Sequence, residues 1–387
     1  MRGFSASLIR EAKAAFDGVI RPTPLVYSTS FSVLFGADIY LKLENLQKTG
    51  SFKPRGAYNK IRSLTNEEKK RGVIAASSGN HAQGVAWAAS FCGIKSTIVM
   101  PETAPITKMV ATVGYGASVV SYGSSFDDSC ARAIEIARKK GLAFIHPFDD
   151  ELVMAGQGTI GLEILDALPG VSTVIVPVGG GGLISGIATA IKETRKSVKV
   201  IGVRARLTRA GAITIADGIA IKKIGKKTSP VIKKYVDDIL RVGEDFIAEA
   251  ILKLMERKKL VVEGAGAIGL AALMEGRVRA KGKTVIVLSG GNIDVTTLDR
   301  VIRLGLLKEG RVTRIAVEIA DVPGALANLT FEIAALKSNI LHVTHMRDAI
   351  EVPVGRTKVE LILEVEDDSH AKRIRKRLKQ KGFEIEV

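Results

Sequence analysis

Short apolar segments alternate with helical segments from about residue 73 to residue 300 of this 387-residue chain. Val73–Ala75 is typical of a buried strand, and the helix-forming stretch Ala82–Phe91 follows it closely. Strands that alternate with helices in this way pair in mostly parallel sheets that are covered by helices on both faces. The alternation therefore predicts an α/β protein built on open parallel sheets.

The same alternation continues beyond this first unit. The further predicted strands are Ser96–Met100, Ser118–Tyr122, Thr173–Val178, Val200–Val203 and Thr284–Leu288. The further predicted helices are Pro105–Val113, Asp127–Lys140 and Leu183–Arg195.

The pattern changes after about residue 305, where strands and helices follow the order β-α-β-β-α-β. This order is typical of a ferredoxin-like unit. The predicted strands are Ile315–Ile319, Ile340–Arg347, Lys358–Glu364 and Phe383–Val387, and the predicted helices are Ala325–Ser338 and Ser369–Lys381. We predict a second domain over 311–387, joined to the first by a linker at Leu304–Gly310.

The chain is basic, with 57 Lys and Arg against 40 Asp and Glu, which leaves a net charge of +17. Such a charge favours anionic partners, either small molecules or nucleic acid. The excess is spread along the chain, with local clusters at Lys222–Lys234 and Lys372–Lys381, and neither a helix-turn-helix nor a zinc finger is evident. We therefore expect an anionic small-molecule substrate and no nucleic acid, and we keep an amino-acid-sensing DNA-binding regulator as a distant alternative.

The number of cysteines and the hydropathy of the longest uncharged segment indicate the cellular compartment of the protein. The two cysteines, Cys92 and Cys130, exclude a disulfide scaffold and suit a reducing environment. The longest uncharged stretch, Ala167–Ile191, is long enough to span a bilayer, but Pro177 and Gly179–Gly182 lie at its centre. A strand, a glycine turn and a helix explain it better. We expect a cytoplasmic protein that does not bind membranes.

Amide side chains are scarce, with 7 Asn and 4 Gln in the whole chain. Few thermolabile residues beside many charged ones is a thermophile-like composition. A melting midpoint in the range of ordinary mesophilic domains would contradict this hypothesis.

Lys53 lies in the segment Gly50–Gly56, between an aromatic residue and a proline. A lysine whose amine is held neutral and well placed can form a Schiff base with a carbonyl compound. Taken alone, the segment favours a surface lysine in a turn, ahead of a helix that starts near Arg55.

Three small-residue turns follow predicted strands: Ala76–His81, Pro177–Leu183 and Leu288–Asn292. Backbone N–H groups at a glycine-rich helix start bind anions, and four consecutive glycines, Gly179–Gly182, favour a phosphate cradle over a flexible linker. The run lacks the Lys-Ser/Thr ending of a nucleotide-hydrolysing loop. Together with Lys53, these turns suit a phosphorylated aldehyde, pyridoxal 5′-phosphate.

The combined motifs resemble the fold-type II pyridoxal-phosphate enzymes, the tryptophan synthase β-like class. Within that class, the chain is most similar to threonine ammonia-lyases (threonine dehydratases) with one regulatory domain, and its C-terminal unit resembles an ACT domain. The segments that carry the resemblance are Pro22–Leu25, Leu43–Asn45, Ser51–Gly56, Ser77–Gln83, Gly179–Leu183, Ser289–Asn292 and, for the ACT domain, Asp321–Gly324.

The resemblance implies roles for individual residues. Lys53 matches the Schiff-base lysine, Asn80 the donor to the cofactor 3′-oxygen and Ser289 the partner of the pyridine nitrogen. Glu263 lies where the family approaches the cofactor and is given no role. The other implied cofactor contacts are Phe52, Gly179, Gly180, Gly181, Gly182 and Leu183, and the implied substrate contacts are Ser77, Ser78, Gly79, Asn80 and His81.

The implied reaction is β-elimination of L-threonine to 2-oxobutanoate and ammonia, with L-serine to pyruvate as a second reaction and Lys53 and Ser78 as catalytic residues. A serine or threonine racemase of the same fold is the alternative, because Ser78 matches the racemase acid/base where many threonine dehydratases have alanine. The racemase metal ligands would fall near Arg204 and Ala210, and neither residue is acidic. We therefore expect no metal.

The resemblance also implies the domain limits. A catalytic domain covers 1–305, with a smaller subdomain of about 43–150 inserted in a larger one formed by 1–42 and 151–305. The ACT domain, 311–387, implies a homodimer or homotetramer and an amino-acid effector such as isoleucine or valine. The alternative is that it only stabilises the oligomer. The expected effector contacts are Asp321, Pro323, Gly324, Ala325, Leu326, Asn339, Ile340 and Leu341.

Overall fold

The computed structural model describes residues 3–206, 214–219, 223–347 and 352–386. They form two compact units that divide between Thr297 and Leu298.

Within the described ranges, the strands follow one another in two groups, ten in the first unit and four in the second. In chain order they are β1 (Leu25–Tyr27), β2 (Asp38–Leu43), β3 (Val73–Ala76), β4 (Ser96–Met100), β5 (Ser118–Ser121), β6 (Ala143–Phe144), β7 (Val171–Pro177), β8 (Lys199–Ala205), β9 (Asp238–Val242), β10 (Lys283–Leu288), β11 (Val312–Ala320), β12 (Asn339–Met346), β13 (Arg356–Glu364) and β14 (Glu384–Glu386).

The helices connect these strands. In chain order they are α1 (Ala6–Ala14), α2 (Thr29–Phe35), α3 (Lys53–Arg62), α4 (Asn66–Arg71), α5 (Asn80–Phe91), α6 (Ile106–Gly114), α7 (Phe126–Lys140), α8 (Glu151–Ala167), α9 (Gly182–Lys192), α10 (Thr228–Tyr235), α11 (Glu244–Lys258), α12 (Gly264–Met274), α13 (Val295–Lys308), α14 (Ala325–Ala335) and α15 (Asp368–Gln380).

The larger sheet of the first unit has the strand order β1-β2-β10-β7-β8-β9 and is parallel except for β1. Its two central strands pair through fully buried residues: Val285 pairs with Val174 and Ile286 with Ile175. Helix α12, which is apolar around its whole circumference, and helix α9, which is buried along its length up to Ile191, cover it.

The smaller sheet of the first unit has the order β5-β4-β3-β6, and its paired strands are all parallel. Ala82, Val85 and Ala86 of α5 join Val73 and Ile98 of the sheet in one buried cluster. The small side chains of α5 allow this helix to lie close to the strands.

These two sheets confirm the predicted α/β class with two open, mostly parallel sheets. Most predicted elements differ from the observed ones by a few residues at their ends; the helix predicted from Ala82, for example, begins at Asn80. The uncharged stretch Ala167–Ile191 is β7, the glycine turn and α9. In the part of the chain that the structure describes, no helix has the length and apolar character needed to cross a membrane.

The second unit carries an antiparallel sheet with the order β12-β13-β11-β14. Helices α14 and α15 pack on it, and Val317, Ile333, Leu361 and Ile374 lie at the centre of the core. This is the predicted βαββαβ arrangement, which is confirmed.

The predicted linker at Leu304–Gly310 is wrong for most of its length, because α13 continues to Lys308. No proline interrupts this segment, and the chain leaves the helix only at Gly310, whose φ of 66° is in the left-handed region. The two units divide at Thr297, before the predicted limit of 305. The proposed catalytic and ACT domain limits themselves stay a prediction.

Candidate active site

A cavity of about 710 Å³ opens in the first unit where strands of both sheets end. The turns after β3, β7 and β10 all reach it, so the structure brings together the three turns that the sequence singled out. The carboxyl ends of parallel strands are the usual place for a ligand in an open α/β sheet. The turns contribute Ser77, Ser78, Gly79, Asn80, His81, Gly179, Gly180, Gly181, Gly182, Leu183 and Ser289 to the cavity wall.

Lys53 lies at the first position of α3, where Pro54 favours the start of a helix. Its Nζ donates a hydrogen bond to the carbonyl oxygen of Pro147 at 3.0 Å and lies 5.2 Å from the centre of the Phe52 ring. Burial lowers the pKa of Lys53 to about 8, although the charge of Glu263 opposes this shift. The amine is therefore much more often neutral at physiological pH than an ordinary lysine, as a nucleophile or a base requires.

Glu263, Asn80 and Asn292 form a hydrogen-bonded chain beside Lys53. Asn80 Nδ2 donates to Glu263 Oε1 at 2.8 Å and to Oε2 at 3.0 Å, and Asn292 Nδ2 donates to Asn80 Oδ1 at 2.8 Å. Burial, and then the charge of Asp217, raise the pKa of Glu263 to about 7. Glu263 and Asn292 therefore fix the orientation of the Asn80 amide from its two ends.

The glycine run leads directly into α9, so it lies at the positive end of that helix. Among the described residues, the backbone N–H groups of Gly179–Leu183 find no hydrogen-bond acceptor. A Cβ added at Gly180 would lie 2.4 Å from the Phe148 ring, and Gly181 has a φ of 99°. Glycine is therefore required by both space and backbone conformation, and the free N–H groups suit a phosphate.

Ser289 follows β10 and is buried at the cavity. Its carbonyl accepts a hydrogen bond from Phe52 N at 3.1 Å, which ties the two predicted cofactor residues together. The cavity thus combines the neutral hydroxyl of Ser289, the Lys53 amine of lowered pKa and the anion cradle of the glycine run. Pyridoxal phosphate needs one such group each for its ring nitrogen, its aldehyde and its phosphate, so the residues fit this cofactor.

The turn at the start of α5 presents polar groups to the cavity. Ser77 Oγ accepts a hydrogen bond from Gly79 N at 3.1 Å. His81 Nε2 lies 2.9 Å from the carbonyl oxygen of Ile145, and since a carbonyl only accepts, Nε2 carries the proton. Burial, reinforced by the charge of Lys53, lowers the pKa of His81 to about 3. His81 is therefore neutral at physiological pH.

Sequence reasoning placed Glu263 near the cofactor without a role, and it missed other charged residues of the cavity wall, among them Lys108 and Asp217. Lys108 Nζ and Asp217 Oδ2 form an ion pair at 2.6 Å. Burial is the largest effect and disfavours the Lys108 ammonium, but the attraction and hydrogen bond of Asp217, together with the charges of Asp294 and Glu263, outweigh it and raise the pKa of Lys108. The one available signal was Lys108 itself, a single charge in an otherwise uncharged predicted helix.

Of the two positions where a racemase would carry its metal ligands, one lies in the described region. Arg204 belongs to β8, whereas Ala210 lies outside the described residues. In the described ranges, no three His, Cys, Asp or Glu side chains are grouped in a way that could hold a metal ion.

The predicted effector residues fall into two groups in the second unit. Asp321, Pro323 and Gly324 form the turn before α14, which begins with Ala325 and Leu326, and Asn339, Ile340 and Leu341 begin β12. Within one chain, the structure does not bring the two groups together. The last residue of β11 pairs with Arg356 and the first of β12 with Glu364, so eight residue steps of β13, about 27 Å, separate them.

Several known proteins are similar to this chain in sequence and fold. An L-threonine ammonia-lyase from Thermotoga maritima is 51% identical, with 98% of each chain covered. The solved structure of a threonine deaminase from T.th. is 41% identical with a TM-score of 0.70, covering 75% of this chain and 99% of that one. The structure of maize serine racemase is 34% identical with a TM-score of 0.73, covering 79% of this chain and 98% of that one.

The family comparison covers the whole cavity. Residues 16–290 match the model of the pyridoxal-phosphate dependent enzymes, and this range contains every residue that lines the cavity. With its fold-type II sheets, its cradle and its half-buried lysine, the chain belongs to the family of pyridoxal-phosphate dependent enzymes.

Proposed function

We propose that the protein is an L-threonine ammonia-lyase that converts L-threonine to 2-oxobutanoate and ammonia. The observation that carries the proposal is Lys53, whose amine has a pKa lowered to about 8 and shares one cavity with an anion cradle. The name and the 51% identity of the Thermotoga maritima relative support threonine as the substrate.

Pyridoxal phosphate, when bound, supplies an aldehyde that links to an amine and a ring that withdraws electrons from the carbon bearing that amine. Lys53 would hold its aldehyde, and Gly179–Leu183 would bind its phosphate. Asn80 would donate to its ring oxygen, and Ser289 would bind its ring nitrogen. A serine hydroxyl does not stabilise a full proton on that nitrogen as a carboxylate would, which suits β-elimination.

The start of α5 would bind the substrate carboxylate. Ser77, Ser78 and Gly79 line the cavity at the positive end of this helix, where N–H groups and hydroxyls attract an anion. Neutral His81 adds no charge to this site, so the carboxylate is held by hydrogen bonds and the helix end.

The proton transfers then follow from Lys53. Once the substrate amine has taken its place on the aldehyde, the free Nζ of Lys53 would take the Cα proton of L-threonine. Return of this proton to the β-hydroxyl would let that group leave as water and would restore the neutral amine. Water then replaces the nitrogen of the released enamine, which gives 2-oxobutanoate and ammonia and balances the reaction.

The test is production of 2-oxobutanoate from L-threonine by the purified protein, with Lys53→Ala measured beside it. We expect product and yellow cofactor colour in the wild type only, with the folded state of Lys53→Ala checked by circular dichroism. A wild type that keeps the yellow colour but forms no 2-oxobutanoate would contradict the proposal.

Racemisation is the second candidate, because Ser78 lines the cavity in which Lys53 lies. A hydroxyl that exchanges a proton with one face of Cα, opposite a lysine on the other face, inverts that carbon. Formation of D-serine from L-serine faster than pyruvate would favour this reaction over elimination.

We further infer that the second unit binds an amino-acid effector such as isoleucine or valine and has the role of an ACT domain. Its βαββαβ order supports this, and so does the turn at Asp321–Gly324. Because this turn and Asn339 lie at opposite ends of the sheet in one chain, a site that uses both would draw them from two copies, in a homodimer or homotetramer. Inhibition by isoleucine would indicate a role in isoleucine biosynthesis.

A further inference from the structure

The segment His146–Asp149 contacts both the reactive lysine and the glycine run. The carbonyl of Pro147 accepts the hydrogen bond from Lys53 Nζ at 3.0 Å. The next residue, Phe148, packs its ring against Gly180, so closely that a Cβ there would lie 2.4 Å from it. The segment therefore touches two functional parts of the cavity with two adjacent residues.

His146 fixes the shape of this segment. Its Nδ1 accepts hydrogen bonds from Phe148 N at 3.2 Å and from Asp149 N at 2.8 Å. Its ring also meets the Phe148 ring edge-on, with 4.7 Å between the centres. These contacts direct the Asp149 side chain toward the loop that precedes α10.

Asp149 binds that loop through three backbone hydrogen bonds. Oδ2 accepts from Lys226 N at 3.0 Å, and Oδ1 accepts from Lys227 N at 2.7 Å and from Thr228 N at 3.2 Å. A Cβ at Gly225 would lie 2.2 Å from Asp149 Oδ1, so the loop approaches the carboxylate as closely as glycine allows. A carboxylate is the side chain that accepts all three bonds.

The loop in turn holds one carbonyl of the glycine run. Gly180 O accepts from Gly225 N at 3.1 Å and from Thr228 Oγ1 at 2.8 Å. In a trans peptide the C=O and N–H groups point in opposite directions. Fixing the carbonyl of Gly180 toward the loop therefore directs the N–H of Gly181 away from the loop.

We propose that Asp149 is a positioning residue for the anion cradle: it holds the loop Gly225–Thr228, which orients the glycine run for a phosphate. The inference rests on the proposed function, because it takes the glycine run as the phosphate site of the cofactor. It adds that this site depends on a carboxylate that lies behind the cavity wall and does not touch the phosphate.

The experiment compares cofactor binding by full-length Asp149→Ala and wild type. Each protein is freed of cofactor and titrated with pyridoxal phosphate and with pyridoxal, which lacks the phosphate, and binding is followed by absorbance. We expect Asp149→Ala to raise the Kd for pyridoxal phosphate about fivefold to tenfold, the effect of losing a capping carboxylate. The Kd for pyridoxal should stay unchanged, because the aldehyde and ring contacts remain.

Two further variants make the result specific. Thr228→Val removes only the hydroxyl that binds Gly180 O. Like Asp149→Ala, it should weaken the binding of pyridoxal phosphate relative to pyridoxal, and it keeps the test valid if Asp149→Ala does not fold. Asp367→Ala is the matched control: this aspartate caps α15 in the second unit by accepting from His370 N at 2.8 Å. It should leave the preference unchanged.

The outcomes separate this inference from the proposed function. A wild type that binds both compounds equally would refute the glycine run as the phosphate site, and both proposals would fail. A wild type that prefers pyridoxal phosphate, with the preference intact in Asp149→Ala and Thr228→Val, would overturn the role of Asp149 alone. An equal weakening of both compounds, or the same shift in Asp367→Ala, would also overturn it.

Discussion

Lys53 and Glu263 are opposite charges beside one buried cavity, and each affects the charge of the other. Burial lowers the pKa of Lys53 to about 8 and raises the pKa of Glu263 to about 7. Both groups therefore gain and lose protons near physiological pH. A lysine pKa that is lowered toward 7 and a glutamate pKa that is raised toward 7 are typical of groups that transfer protons.

Glu263→Gln should lower the pKa of Lys53 further. The Glu263 carboxylate stabilises the Lys53 ammonium, so its removal leaves the burial of the amine less opposed. Only the neutral amine attacks an aldehyde, and the rate at which the cofactor-free protein takes up pyridoxal phosphate should rise with pH around a midpoint near 8 in the wild type. In Glu263→Gln the midpoint should move to lower pH.

The measurement is stopped-flow absorbance across a pH series. Glu135→Gln is the matched control, because Glu135 is an exposed side chain of α7 that pairs with Arg132 at 2.7 Å. It should leave the midpoint in place. An equal or higher midpoint in Glu263→Gln would show that Glu263 does not set the charge of Lys53.

At the scale of elements, helix α3 is anchored by buried charges two residues after Lys53. Arg55 Nε lies 2.8 Å from Glu44 Oε2, and Arg55 Nη1 lies 2.5 Å from Glu163 Oε1. Lys42 also pairs with Glu163, so two positive and two negative charges balance. The cluster ties α3 to β2 and α8, and it raises the pKa of Arg55 despite complete burial.

Arg55→Met should destabilise the protein by about 3–5 kcal/mol, because it leaves the carboxylates of Glu44 and Glu163 buried without their main partner. Denaturant unfolding of the full chain measures the loss. Arg303→Ala, which removes an exposed pair with Asp299 at 2.8 Å, should cost about 1 kcal/mol or less. A similar small loss in Arg55→Met would mean that water or protonation relieves the two carboxylates.

The strands and the glycine run could be predicted because their signals are local, whereas Lys53 was singled out only through its combination with the turns and the family resemblance. Strand alternation and consecutive glycines are visible within a few residues, and parallel strands place the turns that follow them at one edge. Glu263 could not be found in this way, because it meets Asn80 across 183 positions of the chain. The role of Arg55 could not be predicted either, because in the sequence it is one of many charged helix residues and its partner Glu163 belongs to the distant helix α8. The effector residues were predicted as one set, but their positions along the antiparallel sheet depend on strand pairing.

At the scale of the whole molecule, the chain separates its chemistry from its C-terminal sheet. Every residue that lines the cavity precedes Thr297. The second unit has a core of its own, with Val317, Leu361 and Ile374 fully buried. Because the second unit has a core of its own and contributes no residue to the cavity wall, its role can be tested by truncation.

A chain that ends after Gly310 should keep α13, produce 2-oxobutanoate from L-threonine and lose any response to L-isoleucine or L-valine. An effector changes activity only by binding two states of the enzyme differently, and this requires its binding site to be present. The initial rate of the full and shortened chains is measured with and without each amino acid. A shortened chain that still responds would place the effector site in the first unit. If the full chain does not respond either, the second unit has only a structural role, and light scattering should then show a smaller assembly for the shortened chain.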